Sequence, residues 1–362
     1  MRVTANPHIA ILEPYPLADS GRGEAEPPLS LAQNESFAGP SPKAQAAARA
    51  ALEEARLYAD PDWRDLRRAI AAVHDIPAEQ ILCAGGSMDL IAALALAYLG
   101  PDRRALAGSY GYLFFRNATN LAGAAIDLAP ERDFALDLEA LLAAVRPDTR
   151  VVFVADPGNP TGTYRGRAWL LRLRAALPSS VLLVVDQAYG EFADAPGEAV
   201  FDLVEQGNTV VLRTFSKAYG LAGLRSGWGL FPPEVAREVG KLLTAGNPAA
   251  PCQAAATAAM EDQAYLRAVV AETGRRRDAF AARLRTLGFE VPESRTNFVL
   301  IVFRSPAAAA EADAALRAAG IVLRTMGGYG LPHCLRATIG PEDAMETVLH
   351  ILESLSVKAR EA

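Results

Sequence analysis

Val151-Val152-Phe153-Val154-Ala155, Val181-Leu182-Leu183-Val184-Val185 and Thr209-Val210-Val211-Leu212 are three short apolar runs rich in β-branched residues, and a helical stretch, Arg167 to Ala176, separates the first two. Runs of this length alternating with helices indicate strands buried on both faces of a mainly parallel sheet, hence an α/β fold. Upstream, Ile81-Leu82-Cys83 reads as a further strand, Gly85-Gly86 as a tight turn and Ser87 to Leu99 as a helix. Ser41 as N-cap and Pro42 at the first helical position open an alanine-rich helix to about Leu57, and a second helix covers Trp63 to His74. The last third changes character. A long helix from about Ala264 to Leu287 leads to strand Asn297–Phe303, helix Ala307–Ala319, strands Ile321–Arg324 and Leu335–Ile339, and a closing helix from Pro341. That order suits a smaller α+β domain. The expected division is therefore residues 1–40 as an N-terminal arm and part of the small domain, 41–250 as the large domain, and 251–362 as the small C-terminal domain.

Composition bounds the partners. The 362 residues are 51% apolar and 22% charged, with a net charge of −6, which supplies ample core for about two domains. A mildly acidic chain without a dense basic patch is a poor match for nucleic acid or an anionic membrane. The longest apolar run, Leu90 to Leu99, is too short to cross a bilayer, and no export signal opens the sequence. Cys83, Cys252 and Cys334 are scattered, with neither CxxC spacing nor a histidine at ligand spacing, so no metal site is expected and a reduced, cytoplasmic protein is. Arginine outnumbers lysine 32 to four; the lysines are Lys43, Lys217, Lys241 and Lys358. Chemistry that needs a side-chain amine has few candidates.

In an open α/β sheet, ligands sit beyond the carboxyl ends of the strands. Asp156-Pro157-Gly158-Asn159-Pro160-Thr161-Gly162 follows the first run, Asp186-Gln187-Ala188-Tyr189 the second, and Arg213-Thr214-Phe215-Ser216-Lys217 with Gly220-Leu221-Ala222-Gly223-Leu224-Arg225 the third. Each alone has a bland reading: a turn, a helix cap, a solvated lysine. Together they bring an amide, a carboxylate, an amine, an arginine and a helix N-terminus to one edge, the set that pyridoxal 5'-phosphate requires. Lys217 would form the Schiff base, and Asp186 would hold the pyridine nitrogen protonated. Asn159 and Tyr189 would donate to the ring oxygen. Gly86, Ser87 and Met88 at the helix start, with Ser216 and Arg225, would hold the phosphate. Tyr110 is placed to stack on the ring.

These motifs resemble the class I/II aminotransferases of the aspartate aminotransferase fold (fold type I). The longer match around Arg213-Thr214, Ser216-Lys217 and Gly220 to Arg225 is similar to the histidinol-phosphate aminotransferase branch. The resemblance runs from about Leu12 to the closing helix. It implies a homodimer with shared sites, in which Tyr58, of Tyr58-Ala59-Asp60, reaches the cofactor phosphate of the partner subunit. It also implies that Arg336, of Leu335-Arg336-Ala337-Thr338-Ile339-Gly340, takes the substrate's anionic group, with Arg324, Tyr15 and Asn34 as further substrate contacts. Asn297-Phe298 matches a family pair.

Departures accompany the match. Gln187 stands where Glu is usual, Gln33-Asn34-Glu35-Ser36 where Asn-Glu-Asn-Pro is, Gly108 where Pro is, and Met88-Asp89 where Asp-Glu is. Asp156-Pro157-Gly158 replaces Asn-Pro-Asn. None removes a cofactor residue, and several are expected to line the substrate approach. The expected activity is transfer of an amino group from L-histidinol phosphate to 2-oxoglutarate by a ping-pong mechanism. An aromatic or other hydrophobic amino acid is the alternative donor. A phosphate-substrate decarboxylase similar to threonine-phosphate decarboxylase shares the scaffold, and a cofactor-binding regulator would need a DNA-binding module for which the chain has no spare residues.

Overall fold

The computed structural model describes residues 3–10, 12, 27–195 and 198–361. Its central feature is a seven-stranded sheet in the order Ile81–Ala84, Gly227–Leu230, Thr209–Thr214, Leu182–Asp186, Thr149–Ala155, Arg104–Gly108, Ala125–Ala129. Every pairing from Thr209–Thr214 to Ala125–Ala129 is parallel, and only Gly227–Leu230 runs antiparallel to its two neighbours. Ile81–Ala84, Leu182–Asp186 and Thr209–Thr214 are buried along their whole lengths, as strands covered by helices on both faces must be. Three of the seven strands are unannounced in the sequence. Arg104–Gly108 and Ala125–Ala129 carry alanine where β-branched residues would mark a strand, and Gly227-Trp228-Gly229-Leu230 alternates glycine with bulk. Tertiary packing decides all three.

The helices follow their local signals closely at their starts. Ser41 Oγ accepts the Ala44 N–H at 3.2 Å, and Pro42 is the first helical residue. That helix stops at Ala51 and tightens into a 3₁₀ turn over Leu52–Glu54, short of the expected Leu57. Leu52 and Leu57 are more than half exposed, so nothing in this chain supports a longer apolar face. The Ala250–Glu261 helix, which the sequence does not announce, packs on Pro42–Ala51 and Arg64–His74, and its Ala255, Ala256, Ala259 and Met260 join the core of the large sheet.

A second sheet holds Leu29–Leu31, Ile321–Thr325, Cys334–Thr338 and Phe298–Val302 in that order. It packs against the Gln263–Thr286, Pro306–Ala318 and Glu342–Glu361 helices around a separate core that includes Leu284, Val299, Leu316 and Leu352. Leu29 pairs in parallel with Ile321, so the strand that precedes the large sheet is a structural part of the chain's last third. A third apolar cluster, Leu113 with Leu300, Met326, Tyr329, Leu331 and Cys334, joins the two bodies beside the cavity described next.

Candidate active site

Register brings the strand ends together. Ala155 is paired with Asp186 and Asp186 with Leu212, so the segments after three adjacent parallel strands leave the sheet at one level. They open into a cavity of about 500 Å³ lined by Ser87, Met88, Asn159, Asp186, Tyr189, Ser216, Lys217 and Arg225 on the large-sheet side. The opposite wall is Arg324 and Arg336 from the smaller sheet, with the bridging segment Ala32-Gln33-Asn34-Glu35 between the two.

Asp186 is 3% exposed, and burial pushes its carboxyl up to about 7, against the Ala188 N–H, which it accepts at 3.1 Å, and the nearby Lys217. A second positive charge over this carboxylate is what a protonated ring nitrogen supplies. Lys217 is displaced the other way, down to about 7, first by burial and then by the cations Arg336 and Arg225. A lysine amine that loses much of its protonation near neutrality is a nucleophile there. Its Nζ donates to the Gln33 carbonyl at 2.8 Å. Tyr189 is buried, accepts from Asn34 Nδ2 at 2.7 Å, and burial holds its phenol well above the usual range.

The phosphate cradle lies at the start of the Ser87–Tyr98 helix. Gly86 is its N-cap, with φ +111° and no side-chain capping bond, which leaves first-turn N–H groups for an anion. The φ of +111° is what favours glycine at residue 86, and a β-carbon there would also lie 2.6 Å from Arg225 Nη2 and push that guanidinium aside. Arg225 Nη1 donates to Ser216 Oγ at 3.2 Å, and Thr214 Oγ1 donates to the same hydroxyl at 3.0 Å. Two hydroxyls, a guanidinium and an uncapped helix end thus face one side of the cavity, and a buried carboxylate and amine lie beside them. This donor set fits pyridoxal 5'-phosphate: Lys217 for its aldehyde, Asp186 for its ring nitrogen, and the cradle for its phosphate.

Arg336 defines the other wall. It is 5% exposed and lies over the Phe298 ring at 5.1 Å. Its Nη1 donates to Asn159 Oδ1 and its Nη2 to the Ala32 carbonyl at 2.8 Å, while Nε is buried without a partner. Among the described residues no carboxylate pairs with it. Arg324 faces Arg336 directly across the antiparallel ladder. The pair concentrates positive charge on this wall, which suits an anionic group.

Some expected residues fall elsewhere. Tyr110 does not line this cavity. Its N–H is bound to Glu131 and its ring packs on Phe134, and it borders a small adjoining space; Tyr112 is the aromatic of that segment on the main wall. Tyr58 is 99% exposed and is not among the residues that line this cavity. Tyr15 lies outside the described residues. Of the departures, Gln33, Glu35 and Met88 do line the cavity, but Gln187 and Asp156 are structural. Gln187 Oε1 accepts from the buried Arg213 at 3.0 Å, beside Glu191 and Asp194, and Asp156 accepts the Arg165 and Gly166 N–H groups. Tyr329 and Thr214 were missed as cavity residues; Tyr329 sits in Gly327-Gly328-Tyr329-Gly330 just past a strand end, a pattern that could have revealed it.

Fold and site define a pyridoxal-phosphate-dependent transaminase of the aspartate aminotransferase type. More narrowly, the chain belongs to the aminotransferase class I and II family, which its residues 26–354 match. It is 40% identical to a histidinol-phosphate aminotransferase of Paramagnetospirillum magneticum over 351 residues, covering 96% of this chain and 97% of the relative. A histidinol-phosphate aminotransferase of Rhodospirillum centenum is 41% identical over 352 residues, with 96% and 97% covered. Among solved structures, a histidinol-phosphate aminotransferase from Sinorhizobium meliloti in complex with pyridoxal-5'-phosphate superposes with a TM-score of 0.91 at 28% identity, covering 99% of both chains. Among the described residues no helix is long and apolar enough to cross a membrane.

Proposed function

We propose that this transaminase takes its amino group from L-histidinol phosphate and passes it to 2-oxoglutarate, as a cytoplasmic homodimer. The observation that carries the substrate assignment is the facing pair Arg324 and Arg336, which puts two guanidinium groups on one wall of the cavity. A phosphate offers more charge and more acceptor oxygens than a carboxylate, and two guanidinium forks match it. The glutamate carboxylate would use the same wall in the second half-reaction. The relatives' names support the choice of donor.

The bound cofactor supplies an electron sink that stabilises negative charge at the substrate Cα. The protein does the rest. Lys217 Nζ, free near neutrality, takes the Cα proton. Asp186 keeps the sink charged, and Asn159 and Tyr189 fix the ring oxygen. Asn159 also links this wall to Arg336, so the anion clamp and the reacting centre share one hydrogen-bonded frame. Asn34 ties the same frame together, donating to Tyr189 and, through its backbone N–H, to Thr338 Oγ1 at 3.0 Å.

Steady-state rates with L-histidinol phosphate and with L-phenylalanine, each with 2-oxoglutarate, test the assignment. The expected result is a kcat/KM for the phosphate substrate at least about tenfold higher, or about 1.4 kcal/mol in transition-state binding. A tenfold preference for phenylalanine would overturn it.

A further inference from the structure

Gly108 stands where proline is usual, and the structure shows what fills the room. A β-carbon at residue 108 would lie 2.3 Å from Glu131 Oε1 and 2.5 Å from Leu136 Cδ2. The same Glu131 oxygen accepts the Tyr110 N–H at 2.9 Å. Glu131 belongs to a two-stranded hairpin, Glu131–Arg132 with Ala135–Leu136, whose turn residues Asp133 and Phe134 both have left-handed backbones, at φ 50° and 61°. Non-glycine residues adopt that conformation at a cost, so the surroundings must enforce it. They do: the Phe134 carbonyl accepts from Thr163 Oγ1 at 3.0 Å, and the Phe134 ring lies 6.3 Å from that of Tyr110. The hairpin therefore grips Tyr110 twice, by its backbone and by its ring.

We propose that Glu131 is a positioning residue whose carboxylate, in the space left by Gly108, fixes the Tyr110-Gly111-Tyr112 turn against the cofactor side of the cavity. The inference rests on the assignment of that turn to the cofactor wall. Two features place the carboxylate next to the site. Behind it lies a space of about 20 Å³ shared with Asn159 and Ala155, which also line the main cavity, and this is room for about one water. The turn also carries the Ser109 N–H on the Ala129 carbonyl, Arg116 on the Ser109 carbonyl and the Gly111 N–H on the Gly108 carbonyl, but it is Glu131 that takes the Tyr110 N–H. Burial raises the Glu131 carboxyl to about 7, with Arg165 opposing and Asp156 bordering the same space, yet either protonation state retains an oxygen that can accept the Tyr110 N–H.

The test compares wild-type holoenzyme with Glu131→Gln and Glu131→Ala, reading the rate of cofactor release after dilution and the visible circular dichroism of the bound cofactor. Glu131→Ala should release cofactor about tenfold faster with an altered visible band, and Glu131→Gln, whose amide oxygen accepts the same N–H, should stay within about threefold of wild type. Retention at the wild-type rate in Glu131→Ala would overturn the proposal, and so would equal losses in both variants. Gly108→Ala supplies a second route if Glu131→Ala does not fold, because its methyl group must displace the carboxylate. It should release cofactor as fast as Glu131→Ala is expected to, and wild-type retention would again overturn the proposal. A wild-type protein that holds no cofactor would instead overturn the cofactor-wall assignment, and the inference with it.

Discussion

Arg336→Ala removes a buried cation that meets no carboxylate among the described residues. Guanidinium carries five N–H donors, and two are engaged, on Asn159 Oδ1 and the Ala32 carbonyl. Three remain, one of them the unpartnered Nε. If two of these bind the substrate's anionic group, each charge-assisted bond contributes about 1.5–3 kcal/mol, or about 3–6 kcal/mol in all. At about 1.4 kcal/mol per tenfold, kcat/KM should fall by about 10²–10⁴. Arg336→Lys keeps the charge but loses the fork, and should fall roughly half as far on the logarithmic scale. Stopped-flow measurement of the first half-reaction, at saturating and sub-saturating donor, separates binding from chemistry, and cofactor content in the same samples controls for a general loss of the site. A kcat/KM for Arg336→Ala within about threefold of wild type would refute the anion-clamp reasoning.

Two further outcomes follow from the same geometry. The folded state holds Lys217 at about 7 against an ordinary 10.5, so between those values the unfolded chain binds the extra proton, and cofactor-free protein should gain stability as pH rises from 7.5 to 9. Urea melts should show that gain in wild type, up to about 1.4 kcal/mol per pH unit, and a smaller one in Lys217→Met; equal slopes would count against a depressed lysine. Tyr58 is fully exposed in the single chain, so Tyr58→Ala should alter the chain's own stability by less than about 0.5 kcal/mol. Co-refolding it with Lys217→Ala should nevertheless restore part of the activity that each lacks alone, because one site of the mixed dimer would be intact; no restoration would argue against shared sites.

The large-sheet side of the cavity was legible because the expected residues that line it follow strands visible as apolar runs, whereas Tyr110, after the unannounced Arg104–Gly108 strand, fell outside it. Asp186 and Lys217 needed only the rule that such strands end on one edge, and the register Ala155–Asp186–Leu212 obeys it. The substrate half was legible only by resemblance. Nothing local in Leu335-Arg336-Ala337 tells that Arg336 faces Arg324, since that depends on an antiparallel register set by turn and packing. Residues 33–35 were noticed by resemblance, with Asn34 as a substrate contact; their backbone role, carbonyls of residues 32–35 offered to Lys217, Arg336 and Asn297, has no local signal. Tyr110 and Tyr112 are two apart in a turn, and nothing local tells which ring meets the cavity; the Tyr110 N–H is held by Glu131, 21 residues on.

The bridging segment carries one more implication, for synthesis. Asn34 and Thr338 are bonded across 304 positions, and Leu29 lies beside Ile321 in the small sheet. A ribosome that has completed residue 230 has translated every strand of the large sheet and its lysine, but neither guanidinium of the substrate wall. Closure of so long a loop is entropically late. Nascent chains can therefore acquire the vitamin-binding half well before they can discriminate between amino donors, and selectivity is the last property the polypeptide gains.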